Sequence, residues 1–134
     1  MSVDFVDTNV LAYAFDRTSP QKQSRAQEIL GGDFVVSTQV LGELYVVLTR
    51  KLASPMHAAL AAEVIAKLQT RLVVPITGDL VAAATSTSVR HQLSYWDALI
   101  IEAAATAGCT TLLTEDLSTG ATIRGVRIKN PFAA

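Results

Sequence analysis

The sequence predicts an α/β fold: one domain spanning residues 1–134, with a central, mostly parallel β-sheet and helices on both faces. Short apolar runs alternate with longer helical segments along the chain, an order that is typical of parallel sheets. The apolar runs are continuous rather than alternating, as in strands that are covered on both faces. Half of the residues are hydrophobic and only 17% are charged, which is enough for a sizeable core.

The ends of the predicted elements follow from local signals. Pro20 and Pro55 stand in the first turns of two helices, and the first of these helices stops at Gly31 and Gly32, in the positions that these residues favour. Thr38 and Ser94 can cap two further helices. In chain order we predict strand 3–6, helices 9–15 and 20–31, strand 34–37, helices 38–51 and 55–70, strand 72–74, helices 79–92 and 94–108, and strands 109–113 and 126–129.

The composition excludes several classes of protein. A formal net charge of −1 is too small for strong non-specific nucleic-acid binding through bulk charge. Cys109 is the only cysteine, beside two histidines, so we expect neither an intrachain disulfide nor a zinc site. The sequence has no glycine-rich phosphate loop and no serine-nucleophile motif. It also shows no signal-peptide pattern and no membrane-spanning stretch, so we expect a soluble cytoplasmic protein.

Two aspartates follow apolar strands. Asp7 ends the strand at 3–6, and Asp116 follows the strand at 109–113, with Thr114 and Glu115 between them. In an open parallel sheet, ligands bind beyond the carboxyl ends of the strands, so both carboxylates are placed for a site. A simpler interpretation stays open for each, because aspartate also caps helices and stabilises turns.

Glu43 is the only charged residue between Phe34 and Thr49. Its helix is apolar nearly all round, so we expect the helix to be buried nearly all round. An ionised carboxylate on such a helix needs a cation or hydrogen-bond donors. The alternatives are a narrow solvent-exposed stripe, or an ion pair with Arg50 or Lys51.

Asp97 falls in the first turn of the helix that Ser94 is predicted to cap. The helix dipole alone favours an acid there. Because apolar residues surround Asp97, we expect this turn to pack against the body of the protein and Asp97 to line a cleft or to be exposed on one side only. These neighbours are Trp96, Leu99, Ile100 and Ile101.

Together the four acids suggest a carboxylate cluster. Carboxylates that converge repel one another and need a cation or raised pKa values. Oxygen ligands without histidine or cysteine suit hard ions such as Mg²⁺ or Mn²⁺. Metal-assisted hydrolysis of a phosphodiester is the natural chemistry of such a site.

Four segments carry a resemblance to a known family. VDTNVLAY, VLGELYVVLTRK, SYWDALIIEAA and LLTEDLSTG resemble, in this order and at these spacings, the four acidic motifs of the PIN-domain ribonucleases. The ending GVRIKNPF resembles the tail of the VapC-type toxins of bacterial toxin–antitoxin pairs. The resemblance covers nearly the whole chain, from about residue 3 to residue 132.

The resemblance implies a PIN-like fold and a Mg²⁺- or Mn²⁺-dependent endoribonuclease that leaves 3′-hydroxyl and 5′-phosphate ends. Asn9 and Thr114 match supporting polar positions, and Glu115 is an adjacent extra acid. We expect Asp7 and Asp97 to be the direct metal ligands, with the other two acids serving a second ion or orienting water. Carried over residue by residue, the catalytic and metal-binding acids are Asp7, Glu43, Asp97 and Asp116.

The resemblance also implies partners: a structured RNA substrate, often transfer RNA, a VapB-type antitoxin that covers the cleft, and a second copy in a homodimer. The helix at 55–70 is one candidate for the dimer interface, with ordinary core packing as the plainer alternative. RNA also needs positive side chains near an acidic site. The sequence has two basic runs that can supply them, although each is also consistent with a solvated helix face. These runs are Arg17, Lys22 and Arg25, and Arg50 with Lys51.

Other functions stay open. The chain could be a PIN nuclease of RNA processing outside a toxin pair, or a PIN-like binding module without catalysis. A neighbouring antitoxin gene would favour the toxin over the processing enzyme. A phosphoacceptor receiver domain shares a doubly wound sheet, but it requires a lysine at the end of a late strand, and none directly follows residues 112–114.

Overall fold

The computed structural model describes residues 3–133, so Met1, Ser2 and Ala134 of the predicted domain lie outside the described residues. Six strands form one sheet in the order β3-β2-β1-β4-β6-β5. The strands are β1 (Phe5–Val6), β2 (Val35–Ser37), β3 (Leu72–Val74), β4 (Thr111–Leu113), β5 (Thr122–Ile123) and β6 (Val126–Lys129). The helices are α1 (Thr8–Tyr13), α2 (Pro20–Leu30), α3 (Thr38–Val46), α4 (Ala58–Leu68), α5 (Gly78–His91) and α6 (Tyr95–Thr106).

The sheet is doubly wound, which confirms the predicted fold class. All neighbouring strands pair in parallel except β5 with β6. The chain runs from β1 outward through β2 to β3 and then returns to β4 on the other side of β1. Because crossovers of this kind are right-handed, α1 to α4 cover one face and α5 and α6 cover the other. The boundary between β1 and β4 is therefore the switch point, where such sheets bind ligands.

The predicted elements are present in type and order, with shifted ends. The predicted helix 38–51 is α3 continued by a π-helical turn (Val47–Lys51), in which the Leu52 amide donates to the carbonyl of Val47. The strand at 3–6 is only Phe5–Val6. Strand β5 is missing from the prediction, because two residues are too few to show a hydropathy pattern.

A tight hairpin joins β5 to β6. Its two turn residues, Arg124 and Gly125, have φ angles of 54° and 76°, as a type I′ turn requires. Arginine is an unusual residue for the first of these positions. The usual asparagine–glycine or aspartate–glycine signal is absent, so no local signal predicts the hairpin.

The expectation that the Glu43 helix is buried nearly all round is wrong. Within α3 only Val40 and Leu44 are buried, whereas Glu43, Tyr45 and Val46 are exposed. Helix α3 packs on β2, α1 and α4, and its remaining side stays open to solvent. An apolar composition therefore overstated the burial of this helix.

Helix α6 crosses the centre of the core. Every residue from 98 to 104 is buried, including the carboxylate-bearing Glu102. Glu102 accepts hydrogen bonds from Thr87 Oγ1 and from Arg124 Nε, each at 2.9 Å.

The described part of the chain contains no helix with the length and apolar character needed to cross a membrane.

Candidate active site

A cleft of about 690 Å³ opens beyond the carboxyl ends of β1 and β4. Helices α1 and α3, the π-helical turn, the start of α6 and the loop after β4 form its walls. Thr114 is buried beside it and donates to Asp7. The cleft-lining residues include all four predicted acids and two of their predicted neighbours: Asp7, Glu43, Asp97, Asp116, Asn9 and Glu115.

Asp7 is both a helix cap and a member of the site. Its Oδ1 accepts a hydrogen bond of 2.7 Å from the backbone amide of Thr8 and so caps α1. Its Oδ2 accepts one of 2.9 Å from the Thr114 hydroxyl. The capping interpretation and the site interpretation therefore apply to different oxygens of one carboxylate.

Asn9 joins the two strand-end aspartates. Its Nδ2 donates to Asp116 Oδ2 at 3.0 Å and to Asp7 Oδ2 at 3.3 Å, and it also lies 3.1 Å from the Thr114 hydroxyl. Its Oδ1 accepts from the Glu115 amide at 3.1 Å. One amide side chain thus fixes α1 to the loop after β4 and directs two carboxylates toward the same nitrogen.

Burial makes Asp7 a weaker acid than a free aspartate. Loss of solvent raises its pKa from 3.8 to about 6, although the hydrogen bonds from Thr114 and Thr8 act in the opposite direction. The nearby carboxylates of Glu43 and Asp116 raise the pKa further. No cation within residues 3–133 pairs with Asp7, so its negative charge is left uncompensated.

Glu43 reaches the cleft from α3. Its Oε1 accepts a hydrogen bond of 3.2 Å from the Thr8 hydroxyl, which connects the acid on α3 with the residue that follows Asp7. No ion pair with Arg50 or Lys51 occurs in the described structure. Sequence reasoning missed Thr8, although a hydroxyl directly after a strand-ending aspartate was a signal.

Gln39 is a second cleft residue that the sequence did not reveal. It lies one turn before Glu43 on α3, and its Oε1 is buried without a hydrogen-bond partner in the described structure. No pattern in the sequence distinguishes this glutamine from one on a solvated helix face.

Asp97 stands in the first turn of α6, as predicted. Ser94 caps the helix by accepting a hydrogen bond of 3.1 Å from the Asp97 amide. Leu99 and Ile100 are buried as expected, but the expectation that Trp96 packs against the body is wrong, because 61% of it is exposed. Trp96 lines the cleft beside Asp97 instead.

Glu115 has partners that its neighbour Asp116 lacks. Lys22 forms an ion pair with Glu115 Oε2, and the Tyr13 hydroxyl donates to Oε1 at 2.7 Å. Partial burial acts to raise the pKa of Glu115, but these two hydrogen bonds outweigh it and hold the pKa below its usual value. The Lys22 ammonium also lies over the rings of Tyr13 and Phe132.

The two predicted basic runs are not equivalent. Lys51 lines the cleft, but Arg17, Lys22 and Arg25 do not. Arg25 lies 3.6 Å from Glu28 and donates to the carbonyl of Pro131. Lys22 is paired with Glu115 at the cleft edge. Lys51 is therefore the one residue of the two basic runs that lines the cleft.

The acids that line the cleft offer carboxylate oxygens, which are the type of ligand that a hard divalent cation prefers. Among residues 3–133, no three carboxylate, histidine or cysteine side chains stand close enough to enclose a metal ion. Mg²⁺ does not require such a cage, since it binds through one or two carboxylates and keeps several waters. The expected pair of direct ligands was Asp7 and Asp97, whereas the structure brings Asp7 and Asp116 together at the Asn9 amide. Asp97 and Glu43 stand on the surrounding walls of the same cleft.

The comparisons with known proteins agree with this fold. One similar solved structure is the Mycobacterium tuberculosis toxin VapC20, a sarcin–ricin loop cleaving toxin, with a TM-score of 0.67 and 23% identity over 84% of this chain and 89% of that one. Another is FitAB bound to the IR36 DNA fragment, with a TM-score of 0.68 and 20% identity over 98% of this chain and 97% of that one. No curated protein sequence matches. Residues 5–119 match the PIN domain family, and the chain therefore belongs to that family.

Proposed function

We propose that the protein is a metal-dependent endoribonuclease that hydrolyses RNA phosphodiester bonds with Mg²⁺, or with Mn²⁺ as a substitute. The observation that carries the proposal is the convergence of four carboxylates on one cleft at the switch point of the sheet. No cation from the described chain neutralises Asp7 or Asp116 there. The PIN family match supports a nuclease.

In this proposal each group of the site has a separate task. Asp7 and Asp116 would hold the cation, in place of the expected pair of Asp7 and Asp97, because Asn9 and Thr114 fix the orientation of these two carboxylates by the hydrogen bonds described above. A bound divalent ion supplies Lewis-acid activation of water and neutralises charge on the phosphate. Asp97 and Glu43 line the cleft and orient water or serve a second ion. Lys51 attracts the RNA backbone.

We further infer that the nuclease is the toxin of a VapBC-type pair. The two structural neighbours, a VapC toxin and FitAB, support this assignment. It implies a VapB-type antitoxin that covers the cleft, a cytoplasmic location, and structured RNA such as transfer RNA as the target. Helix α4, which corresponds to the predicted helix at 55–70 and exposes the side chain of Leu60, is the candidate for a homodimer interface.

The test is cleavage of a total RNA pool by antitoxin-free protein with Mg²⁺ or Mn²⁺, with EDTA, and by an Asp7→Asn variant. We expect discrete products that disappear with EDTA, and a rate that falls on the order of a thousandfold in Asp7→Asn. Circular dichroism of the variant serves as the folding control. Mapping the product ends then identifies the target.

Each contrary result has a definite meaning. Products that persist in EDTA would exclude the metal-dependent mechanism. The absence of products from well-folded wild-type protein would favour a PIN-like binding module. If the protein cleaves RNA but no antitoxin gene lies next to its gene, an RNA-processing nuclease outside a toxin pair is favoured.

A further inference from the structure

One side chain at the cleft has no task in the proposed hydrolysis. Trp96 is the only tryptophan of the chain, and 61% of it is exposed. Leu99, Ile100 and Ile101 of the same helix are buried, so α6 exposes its largest apolar side chain in its first turn. Exposed tryptophan is typical of recognition surfaces, because the large ring gives contact area at little conformational cost.

We propose that Trp96 is a stacking platform for an unpaired RNA base next to the phosphate that is cut; this inference rests on the proposed ribonuclease function. Trp96 and Asp97 both line the cleft, and the Cα atoms of adjacent residues are about 3.8 Å apart. Because Trp96 shares this cleft with Asp7 and Asp116, a nucleoside next to a phosphate bound at the cation can extend along the cleft to the indole.

Neighbouring residues fix the position of the indole and leave it able to stack on a base. Tyr95, which packs on the core, meets Trp96 in a T-shaped arrangement with ring centroids 4.9 Å apart and an angle of 70° between the planes. An edge-to-face contact of this kind covers at most one face of the indole. The helix beneath is fixed by the Ser94 cap and by the buried residues from 98 to 104.

The charge of the cleft favours a base rather than a phosphate at this position. The carboxylates repel a phosphate wherever no cation intervenes, and Lys51 is the one lysine or arginine that lines the cleft in the described part of the chain. A neutral aromatic base has no such conflict with Asp97. Stacking on an aromatic side chain requires an unpaired base, because duplex bases already stack on one another.

The test uses the fluorescence of Trp96, which reports on this residue alone. Wild-type protein is titrated with a short mixed-sequence single-stranded oligoribonucleotide, and separately with the same sequence as a blunt duplex. Ca²⁺ replaces Mg²⁺ because its looser coordination is expected to slow hydrolysis, and a gel verifies that the RNA stays intact. We expect the single strand to quench the fluorescence and the duplex to leave it nearly unchanged.

Variants then measure the contribution to binding through the anisotropy of an end-labelled oligoribonucleotide. Trp96→Leu should weaken binding about 10- to 100-fold, and Trp96→Phe, which keeps an aromatic face, should weaken it much less. Tyr45→Leu is the matched control, because Tyr45 is an exposed aromatic residue outside the cleft lining, and it should bind within about twofold of wild type. Melting temperatures verify that all variants fold.

The inference and the proposed function can fail separately. If Trp96→Leu binds the single strand as wild type does while Asp7→Asn still loses cleavage, Trp96 is not a stacking platform and the ribonuclease stands. Equal quenching by the duplex, or an effect of Trp96→Leu on self-association alone, would also overturn the inference. If wild-type protein cuts no RNA but the variants show the predicted binding order, stacking stands and the catalytic assignment fails.

Discussion

The carboxylates of Glu102 and Asp7 both lose much of their contact with water, but only Glu102 has a cationic partner in the described structure. Glu102 is 3% exposed and accepts from both Thr87 and Arg124. Asp7 receives hydrogen bonds from Thr8 and Thr114 but no cation, and two further acids lie near enough to raise its pKa. The first arrangement satisfies a buried charge, as a stable fold requires. The second leaves a charge that an exogenous cation can satisfy, which is typical of a functional site.

The same contrast occurs between two neighbours in sequence. Glu115 is paired with Lys22 and Tyr13, whereas Asp116 receives the Asn9 amide and faces the cleft. Burial alone therefore does not identify a candidate catalytic acid. A candidate catalytic acid is better identified by two properties together: its carboxylate lies in the cleft, and no cationic side chain of the protein pairs with it.

Within this comparison, the largest effect is expected to separate Glu115 from Asp116. Asp116→Asn should lower the rate of RNA cleavage on the order of 100-fold, because it removes a charge that no other side chain replaces. Glu115→Gln should lower it no more than about threefold, since Lys22 already neutralises this acid. Initial rates on one mapped substrate measure both. Equal losses in the two variants would contradict the comparison.

The next effect concerns the stability of the metal-free protein. Because the pKa of Asp7 is raised from 3.8 to about 6 in the folded state, the native protein binds this proton more tightly than the unfolded chain. The contribution of Asp7 to stability therefore falls as the pH rises from about 4 to about 6, by at most about 3 kcal/mol. Asp7→Asn keeps a good capping residue and lacks the charge.

We accordingly expect Asp7→Asn to be more stable than wild type by about 1–3 kcal/mol near pH 8 in EDTA, with the difference disappearing toward about pH 4. Urea unfolding at the two pH values measures this directly. A variant that is clearly less stable near pH 8 would show that Asp7 serves chiefly as a structural cap.

The smallest effect tests the satisfied acid. Arg124→Met removes the cation from Glu102 and leaves Thr87 as its remaining side-chain donor, so the melting temperature should fall by roughly 5 °C. Arg127→Met is the matched control, because Arg127 is an exposed arginine on the same hairpin. If both substitutions shift the melting temperature equally, the ion pair between Arg124 and the buried Glu102 has no special role.

Topology explains why sequence reasoning could place much of the site. Asp7 and Asp116 follow parallel strands, and the carboxyl ends of such strands share one edge of the sheet. Asp97 was placed by its helix start, which Ser94 marks. These are consequences of backbone order, and they do not depend on details of packing.

Side-chain exposure was harder to predict, because it depends on which surfaces meet in three dimensions. The apolar helix α3 has an open side, and Trp96 points to the cleft rather than the core. The pair of Glu102 and Arg124 joins positions 22 residues apart through an arginine with positive φ. No local hydropathy pattern encodes such a pair.

The order in which the chain is synthesised gives the Asn9 network a further consequence. The contacts of Asn9 with Asp116 and of Thr114 with Asp7 each join residues 107 positions apart, so they form only after most of the chain has left the ribosome. A nascent chain that stops before β4 therefore carries Asp7, Glu43 and Asp97 but lacks Thr114 and Asp116, the two partners that complete the network. The full set of cleft acids and the Asn9 network that joins two of them therefore exist only when the chain is nearly complete.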